Sequence, residues 1–231
     1  MMRAVALIPA YNAESTLGPT IEALRLLPEV DAILVVDDGS TDRTAEIARQ
    51  AAVELVTHPI NRGKGAALNT GLAHLRGRQY LALALVDSDL GPSARAFGQL
   101  LKPVLDGAAE MTIARFPPPK RRGGFGLAKG FCRLGLYLFT GTWFASPMSG
   151  QRVLAAKILG GLSGFAPGWG CEPALTIDLH RLGARILEIP VPMSHAETGR
   201  TLAGFLHRGR QVWAAAQVFA SRAVNRGKRK K

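Results

Sequence analysis

Asp87 and Asp89, separated by Ser88, close the apolar run Tyr80–Val86 and stand just before Gly91-Pro92. Where a strand breaks into a turn, two such carboxylates can swing toward one ion, and Gly-Pro supplies the break. Oxygen ligands of this kind suit Mg²⁺ or Mn²⁺, which favour carboxylates, water and substrate phosphates over a closed protein cage. The same pair could instead end a strand and cap the next helix. A second candidate is Gly63-Lys64-Gly65, which precedes a helical pattern. Its glycines permit close backbone approach, and Lys64 would then face an anion such as a phosphate. The spacing is not that of a Walker loop, and a tight turn with a solvated lysine is the alternative.

The first half of the chain must position these groups by alternating strand and helix. Strands are expected over Ala4–Pro9, Ala32–Val36, Glu54–Thr57 and Tyr80–Val86. Helices are expected over Ser15–Leu27 with Ser15 as N-cap, over Thr41–Ala52 after an Asp-Gly-Ser turn, and over Lys64–Leu75. Continuous apolar strands joined by helices imply an α/β fold, a mostly parallel central sheet covered on both faces. In such sheets ligands bind beyond the carboxyl ends of the strands, where strand order reverses. Pro9-Ala10-Tyr11-Asn12, Asp37-Asp38-Gly39-Ser40 and Asp87-Ser88-Asp89 all sit at such ends.

The second half is less regular. Met111–Ala114 is a strand ending at Arg115, residues 116–126 a mobile loop, Gly126–Phe139 an apolar helix, Glu172–Leu182 a helix and Arg185–Pro190 a strand. Leu202, Phe205, Leu206, Val212, Trp213, Ala216 and Phe219 recur at helical spacing, with Arg208, Arg210 and Arg222 mainly off that stripe. These features divide the chain into a main α/β domain over 1–200, an amphipathic C-terminal helix over 201–224, packed on the domain or at a membrane surface, and a basic, disordered tail over 225–231.

The 29 Lys and Arg residues exceed the 17 Asp and Glu by 12, and no acidic residue follows Glu197. Lys120-Arg121-Arg122, with Lys129 and Arg133, forms a second basic patch. An excess of this size predicts an anionic partner: nucleic acid, anionic lipid or a phosphorylated substrate. Aromatic residues make up only 6% and the tail has none, which counts against nucleic-acid recognition. No run is long and apolar enough for a membrane span, and Cys132 and Cys171 show neither a disulfide framework nor ligand spacing. A cytoplasmic protein is expected, with a peripheral position at the inner face of a membrane as an extension of that reading.

Taken together, Ile8-Pro9-Ala10-Tyr11-Asn12, Val36-Asp37-Asp38-Gly39-Ser40-Thr41-Asp42, Asn61-Arg62-Gly63-Lys64-Gly65 and Asp87-Ser88-Asp89 resemble the family 2 glycosyltransferases of the GT-A fold. The nearest branch is that of the polyprenyl-phosphate mannose or glucose synthases. The resemblance implies an inverting transfer of a sugar from a nucleotide-diphosphate donor, assisted by Mg²⁺ or Mn²⁺. It implies a nucleotide pocket lined by Pro9 and Tyr11, with Asp37 and Asp38 on base or ribose and Lys64 and Ser88 near the donor. Asp87 and Asp89 would be the metal pair, with Asp89 the more direct ligand of the two. A Glu that many relatives carry directly after the Asn is replaced by Ala13, with Glu14 next.

The resemblance further implies that Arg115, expected to be buried, forks onto phosphate, and that residues 120–122 lie on an acceptor loop. Ser149-Gly150-Gln151-Arg152 resembles a Ser-Gly-x-Arg segment. Glu172 falls where many members hold a catalytic carboxylate, acting as a base or orienting a neighbouring cation. Arg200, with His195 at even weight between contact and structural roles, would meet donor or acceptor phosphate. A polyprenyl phosphate is the implied acceptor. A soluble acceptor on the same fold and, more distantly, a basic nucleic-acid-binding module are the alternatives.

Overall fold

The computed structural model describes residues 1–117, 127–193 and 213–223. Its sheet has seven strands in the order β3-β2-β1-β4-β6-β5-β7. The strands are β1 Met2–Ala10, β2 Val30–Asp37, β3 Glu54–Thr57, β4 Tyr80–Leu85, β5 Met111–Arg115, β6 Arg152–Ala155 and β7 Ile186–Pro190. All pairings are parallel except those of β6, which runs antiparallel to both β4 and β5. Chain order turns back between β1 and β4, so a crevice opens beyond their carboxyl ends.

Strand alternation divides the core cleanly. Ala4, Ala6, Ile8, Ile33, Val35, Ala82, Ala84 and Val153 face one side, where α1 (Leu17–Arg25) and α4 (Phe97–Leu105) cover them. Val5, Leu7, Leu34, Val36, Leu83, Leu85, Met111, Ile113 and Leu154 face the other. That side carries α3 (Lys64–His74), α5 (Leu127–Thr140), α7 (Cys171–Arg181) and α8, a helix over residues 213–223. The first side also carries α2 (Thr44–Gln50), through Ala48, and the second the short α6 (Ala156–Leu159), through Leu159. Both cysteines are free and buried.

Three local expectations need correction. Ser15 does not cap α1: Thr16 holds that position, without a side-chain cap, and the turn closes through Thr16 and Leu17 N–H groups donating to Ala13 O. The helix after the Asp-Gly-Ser turn begins at Thr44, because Asp42 accepts from the Thr44 N–H and draws Thr41–Arg43 into a turn. In α8, Ala215 and Val218 are buried while Trp213 is 67% exposed, so the inward stripe is rotated from the expected one. Arg222 lies on the inner side, where its guanidinium reaches Asp178 Oδ2 at 2.6 Å. The part of the expected helix from Leu202 to Val212, the loop 118–126 and the tail beyond Ala223 lie outside the described residues. Among the described residues no helix is long and apolar enough to cross a membrane.

Candidate functional site

The loops after β1 and β2 are laced together. Asn12, in a left-handed conformation (φ 49°), accepts the Thr41 N–H on Oδ1 (2.9 Å) and donates its own N–H to Ser40 Oγ (3.0 Å). Ala13 N–H donates to Thr44 Oγ1 at 2.7 Å, and Glu14 accepts the Arg43 N–H at 3.2 Å. Glu14, one place beyond the family's usual Glu, is therefore engaged with its own fold. Pro9 is half-buried and Tyr11, 49% exposed, stands on the same rim.

Asp37 and Asp38 are both buried at the end of β2. Asp37 Oδ1 accepts the Ser40 N–H at 3.2 Å. Asp38 is spent on the neighbouring loop: Oδ1 and Oδ2 accept the Arg62 and Gly63 N–H groups at 3.0 and 2.7 Å, and His58 Nδ1 lies 2.6 Å from Oδ1. His58 Nε2 in turn meets Thr70 Oγ1 on α3 at 2.9 Å. Asp38 and His58 thus set the approach of the chain to Lys64, a structural part that the isolated histidine did not announce. Gly39 makes this packing possible. Its φ is +73°, and a Cβ there would lie 2.4 Å from the Ile60 carbonyl carbon.

Lys64 opens α3, and its first turn sits against the 165–167 backbone so closely that a Cβ on Gly65 would lie 2.2 Å from Ala166 O. The Lys64 ammonium lies 2.6 Å from Asp87 Oδ1 and 3.0 Å from Glu172 Oε1, in the first turn of α7. Burial by itself would pull this ammonium's pKa down. The carboxylates of Asp87 and Glu172 outweigh it and hold Lys64 well above the ordinary lysine value. Gln151, 2% exposed, grips Asp87 twice: its Oε1 accepts the Asp87 N–H at 3.0 Å and its Nε2 donates to Oδ2 at 2.5 Å. Gly150 passes directly over the cluster, where a Cβ would lie 2.4 Å from Lys64 Nζ and 2.7 Å from Asp87 Oδ2.

Arg152 holds that segment in place. It is fully buried at the start of β6 and donates from Nε to Ser149 O (2.8 Å) and from one terminal nitrogen to Thr176 Oγ1 (2.8 Å). Burial lowers its pKa below the usual arginine value, with Glu172, Cys171 and Glu188 acting in the opposite sense. Glu188 accepts the Ala145 and Ser146 N–H groups at 2.7 and 2.6 Å. Arg133 donates to the carbonyls of Phe144 and Ala145 at 3.0 and 2.8 Å, so it braces a loop instead of extending a solvated basic patch. Gln151 and Arg152 were the site residues hardest to assign from sequence, the Ser-Gly-x-Arg resemblance being their only signal.

Ser88 is half-buried and Asp89 exposed on the rim beside Asp87. Among the described residues no three or more His, Cys, Asp or Glu side chains are grouped to hold a metal. Asp87 and Asp89 fit instead an ion that completes its shell with water and ligand phosphate. Arg115 ends β5 on the same edge of the sheet but is exposed, against the expectation of burial. His195, Arg200 and residues 120–122 lie outside the described residues.

The glycosyl transferase family 2 model matches residues 5–134. An undecaprenyl-phosphate mannosyltransferase from Micrococcus luteus is 30% identical over 87% of this chain and 87% of its own. An uncharacterised protein of Methanocaldococcus jannaschii is 30% identical over 82% of this chain and 81% of its own. Among solved structures, glucosyl-3-phosphoglycerate synthase from Mycobacterium tuberculosis, in complex with Mn²⁺, UDP-glucose and phosphoglyceric acid, matches with a TM-score of 0.77 at 26% identity. The match covers 95% of this chain and 80% of that one.

Proposed function

The chain belongs to glycosyl transferase family 2, and we propose that it is an inverting, divalent-metal-dependent enzyme that moves a sugar from a nucleotide-diphosphate donor to a polyprenyl phosphate. The observation that carries the donor half is the meeting of Lys64, Asp87 and Glu172 beyond the carboxyl ends of β1 and β4. Cations and carboxylates at such an edge suit a diphosphate and its counter-ion. Pro9, Tyr11 and Asp37 would form the base and ribose pocket, with Asp38 shaping its wall through the 62–63 backbone. Ser88 lies beside the donor. Asp87 and Asp89 would hold Mg²⁺ or Mn²⁺, which when bound offsets the charge on the diphosphate. Lys64, Arg115 and Arg200 supply the remaining positive charge, and burial of the cluster strengthens these contacts.

The reaction is a single displacement. An acceptor oxygen forms a bond to the anomeric carbon as the bond to the diphosphate oxygen breaks, and the nucleotide diphosphate leaves. A phosphate acceptor is ionised at neutral pH and requires no base. Glu172 then serves as the partner that orients Lys64.

The lipid acceptor is favoured by the segment between β5 and β6. There α5 leaves Phe131, Leu134, Tyr137 and Leu138 exposed, with Trp143 just beyond, an apolar surface suited to a prenyl chain or membrane interface. The basic excess fits an anionic headgroup region, and no specific nucleic acid is expected as a partner. A soluble phosphorylated hydroxy acid is the second reading, favoured by the half-buried Glu172, whose carboxylate would take the proton of a hydroxyl acceptor.

A thermal-shift panel of UDP, GDP, CDP and dTDP with and without Mn²⁺ tests the donor half. Saturation near 100 times Kd adds about 2.7 kcal/mol, which is roughly 5–11 °C for a domain of this size. One nucleotide should produce that shift, larger with Mn²⁺ and lost in Asp89→Ala; no shift with any of them would sink the reading. Turnover on undecaprenyl phosphate against 3-phosphoglycerate then separates the two acceptors.

A further inference from the structure

The groups around Asp87 already engage both of its carboxylate oxygens. Gln151, buried and bonded to both the N–H and Oδ2 of Asp87, fixes how the carboxylate is turned. The other oxygen, Oδ1, faces the Lys64 ammonium at 2.6 Å, and Gly150 closes the space above both. A divalent ion bonded to Oδ1 would sit against that ammonium. Two cations at such range repel strongly in a half-buried site. One of the two partners of Asp87 must move, and Gln151 is the one locked in the core. Lys64 has a flexible four-carbon stem and a second carboxylate, Glu172 Oε1 at 3.0 Å, to remain on.

Resting on the reading of Asp87 as a metal ligand, we propose that Lys64 is the resident counter-ion of Asp87 and is exchanged for the divalent cation, which couples cation binding to diphosphate binding. The charges make the coupling necessary. Lys64 and Arg152 oppose Asp87, Asp89 and Glu172, so the cluster carries one negative charge in excess before anything binds. A divalent ion alone adds two positive charges and frees an ammonium with half its former partners. A diphosphate supplies the missing negative charge and receives the displaced Lys64. Each ligand therefore raises the affinity for the other by the same factor. Gly150 belongs to the device, because a Cβ there would lie 2.4 Å from the Lys64 ammonium and force it off Asp87.

The test is a Mn²⁺ titration followed by the free-ion electron paramagnetic resonance signal, with and without UDP, on folded protein checked by circular dichroism. In the wild type UDP should tighten Mn²⁺ binding at least tenfold. Lys64→Met should bind Mn²⁺ at least fivefold more tightly than wild type without UDP, and UDP should then add less than threefold. Lys64→Arg, which keeps a cation on Asp87, should behave as wild type without UDP. Arg95→Met removes an exposed charge on the turn that follows Asp89, outside the cluster, and should change Mn²⁺ affinity less than twofold. Unchanged or weaker Mn²⁺ binding in Lys64→Met, or an equal gain in Arg95→Met, would overturn the exchange. Asp87→Asn keeps the two outcomes apart: undiminished Mn²⁺ binding there would overturn the metal assignment itself, and with it the proposal.

Discussion

Replacing Arg152 by Met probes how the site is held from beneath. The guanidinium is fully buried, with two bonds of 2.8 Å to Ser149 O and Thr176 Oγ1 and a longer one of 3.4 Å to Pro147 O. Hydrogen bonds from a charged donor contribute about 1.5–3 kcal/mol each, so the two short ones together amount to about 3–6 kcal/mol. Returning a buried charge to water in the unfolded chain offsets part of this loss, and burial does depress the Arg152 pKa. A net destabilisation of about 3 kcal/mol follows, or roughly 6–12 °C in Tm for a chain of this length. Loss of the brace also releases residues 147–151, so Gln151 no longer orients Asp87. Urea unfolding followed by circular dichroism, beside UDP titration in the presence of Mn²⁺, reads both effects. Arg152→Lys should fall between, since one ammonium cannot serve Ser149 and Thr176 with the same planar fork. If Arg152→Met were within about 1 kcal/mol of wild type and bound UDP equally well, the reasoning would be wrong.

Other substitutions probe the supports separately. Gly39→Ala places a methyl group 2.4 Å from the Ile60 carbonyl carbon at a left-handed position. It should cost more than about 2 kcal/mol and weaken nucleotide binding, measured by unfolding and by titration. Glu110 is held far below the usual carboxylate range, first by the Arg185 side chain, then by the Arg185 N–H and by Lys157. A depressed carboxylate contributes stability that is complete above its unfolded pKa of about 4.3 and is lost as pH falls through the folded value. Wild type should therefore lose stability below about pH 4.3 relative to Glu110→Gln, as urea midpoints at pH 7 and pH 3 would show. Burial pushes the Cys132 thiol up to about 11 and Cys171 up to about 12. Neither should react with Ellman's reagent at pH 8 until urea unfolds the chain; rapid labelling of the native protein would contradict the packing.

What the sequence revealed follows from the range of the interactions. The parallel strands were legible because each is a short apolar run with a turn signal at its end, and β3 was placed residue for residue. By contrast α4 escaped notice. A 3-10 turn containing Pro92 leads into it and Pro103 lies inside it, so proline masks its period. The short β6 also escaped, since it is four residues long, begins with an arginine and runs against its neighbours. The motif residues could be named individually, but the contact of Lys64 with Glu172 spans 108 positions and that of Asp87 with Gln151 spans 64. Only the sheet order brings such residues together. Arg115 was expected to be buried from its likeness to a phosphate-binding arginine, yet it stands exposed at the end of β5.

The reversal of β6 has an architectural consequence. The strand β5 delivers the chain to the edge of the sheet that carries Asp37 and Asp87, and β6 departs from that same edge at Arg152, paired to β5 through Ile113. Residues 116–151 therefore form a cassette, spliced into the sheet at two adjacent points. The cost of closing such an excursion grows only slowly with its length, so it can lengthen, shorten or be exchanged without re-registering a strand. Its fixed obligations are the buried face of α5, with Cys132 and Leu136 in the core, and the braced turn before Arg152.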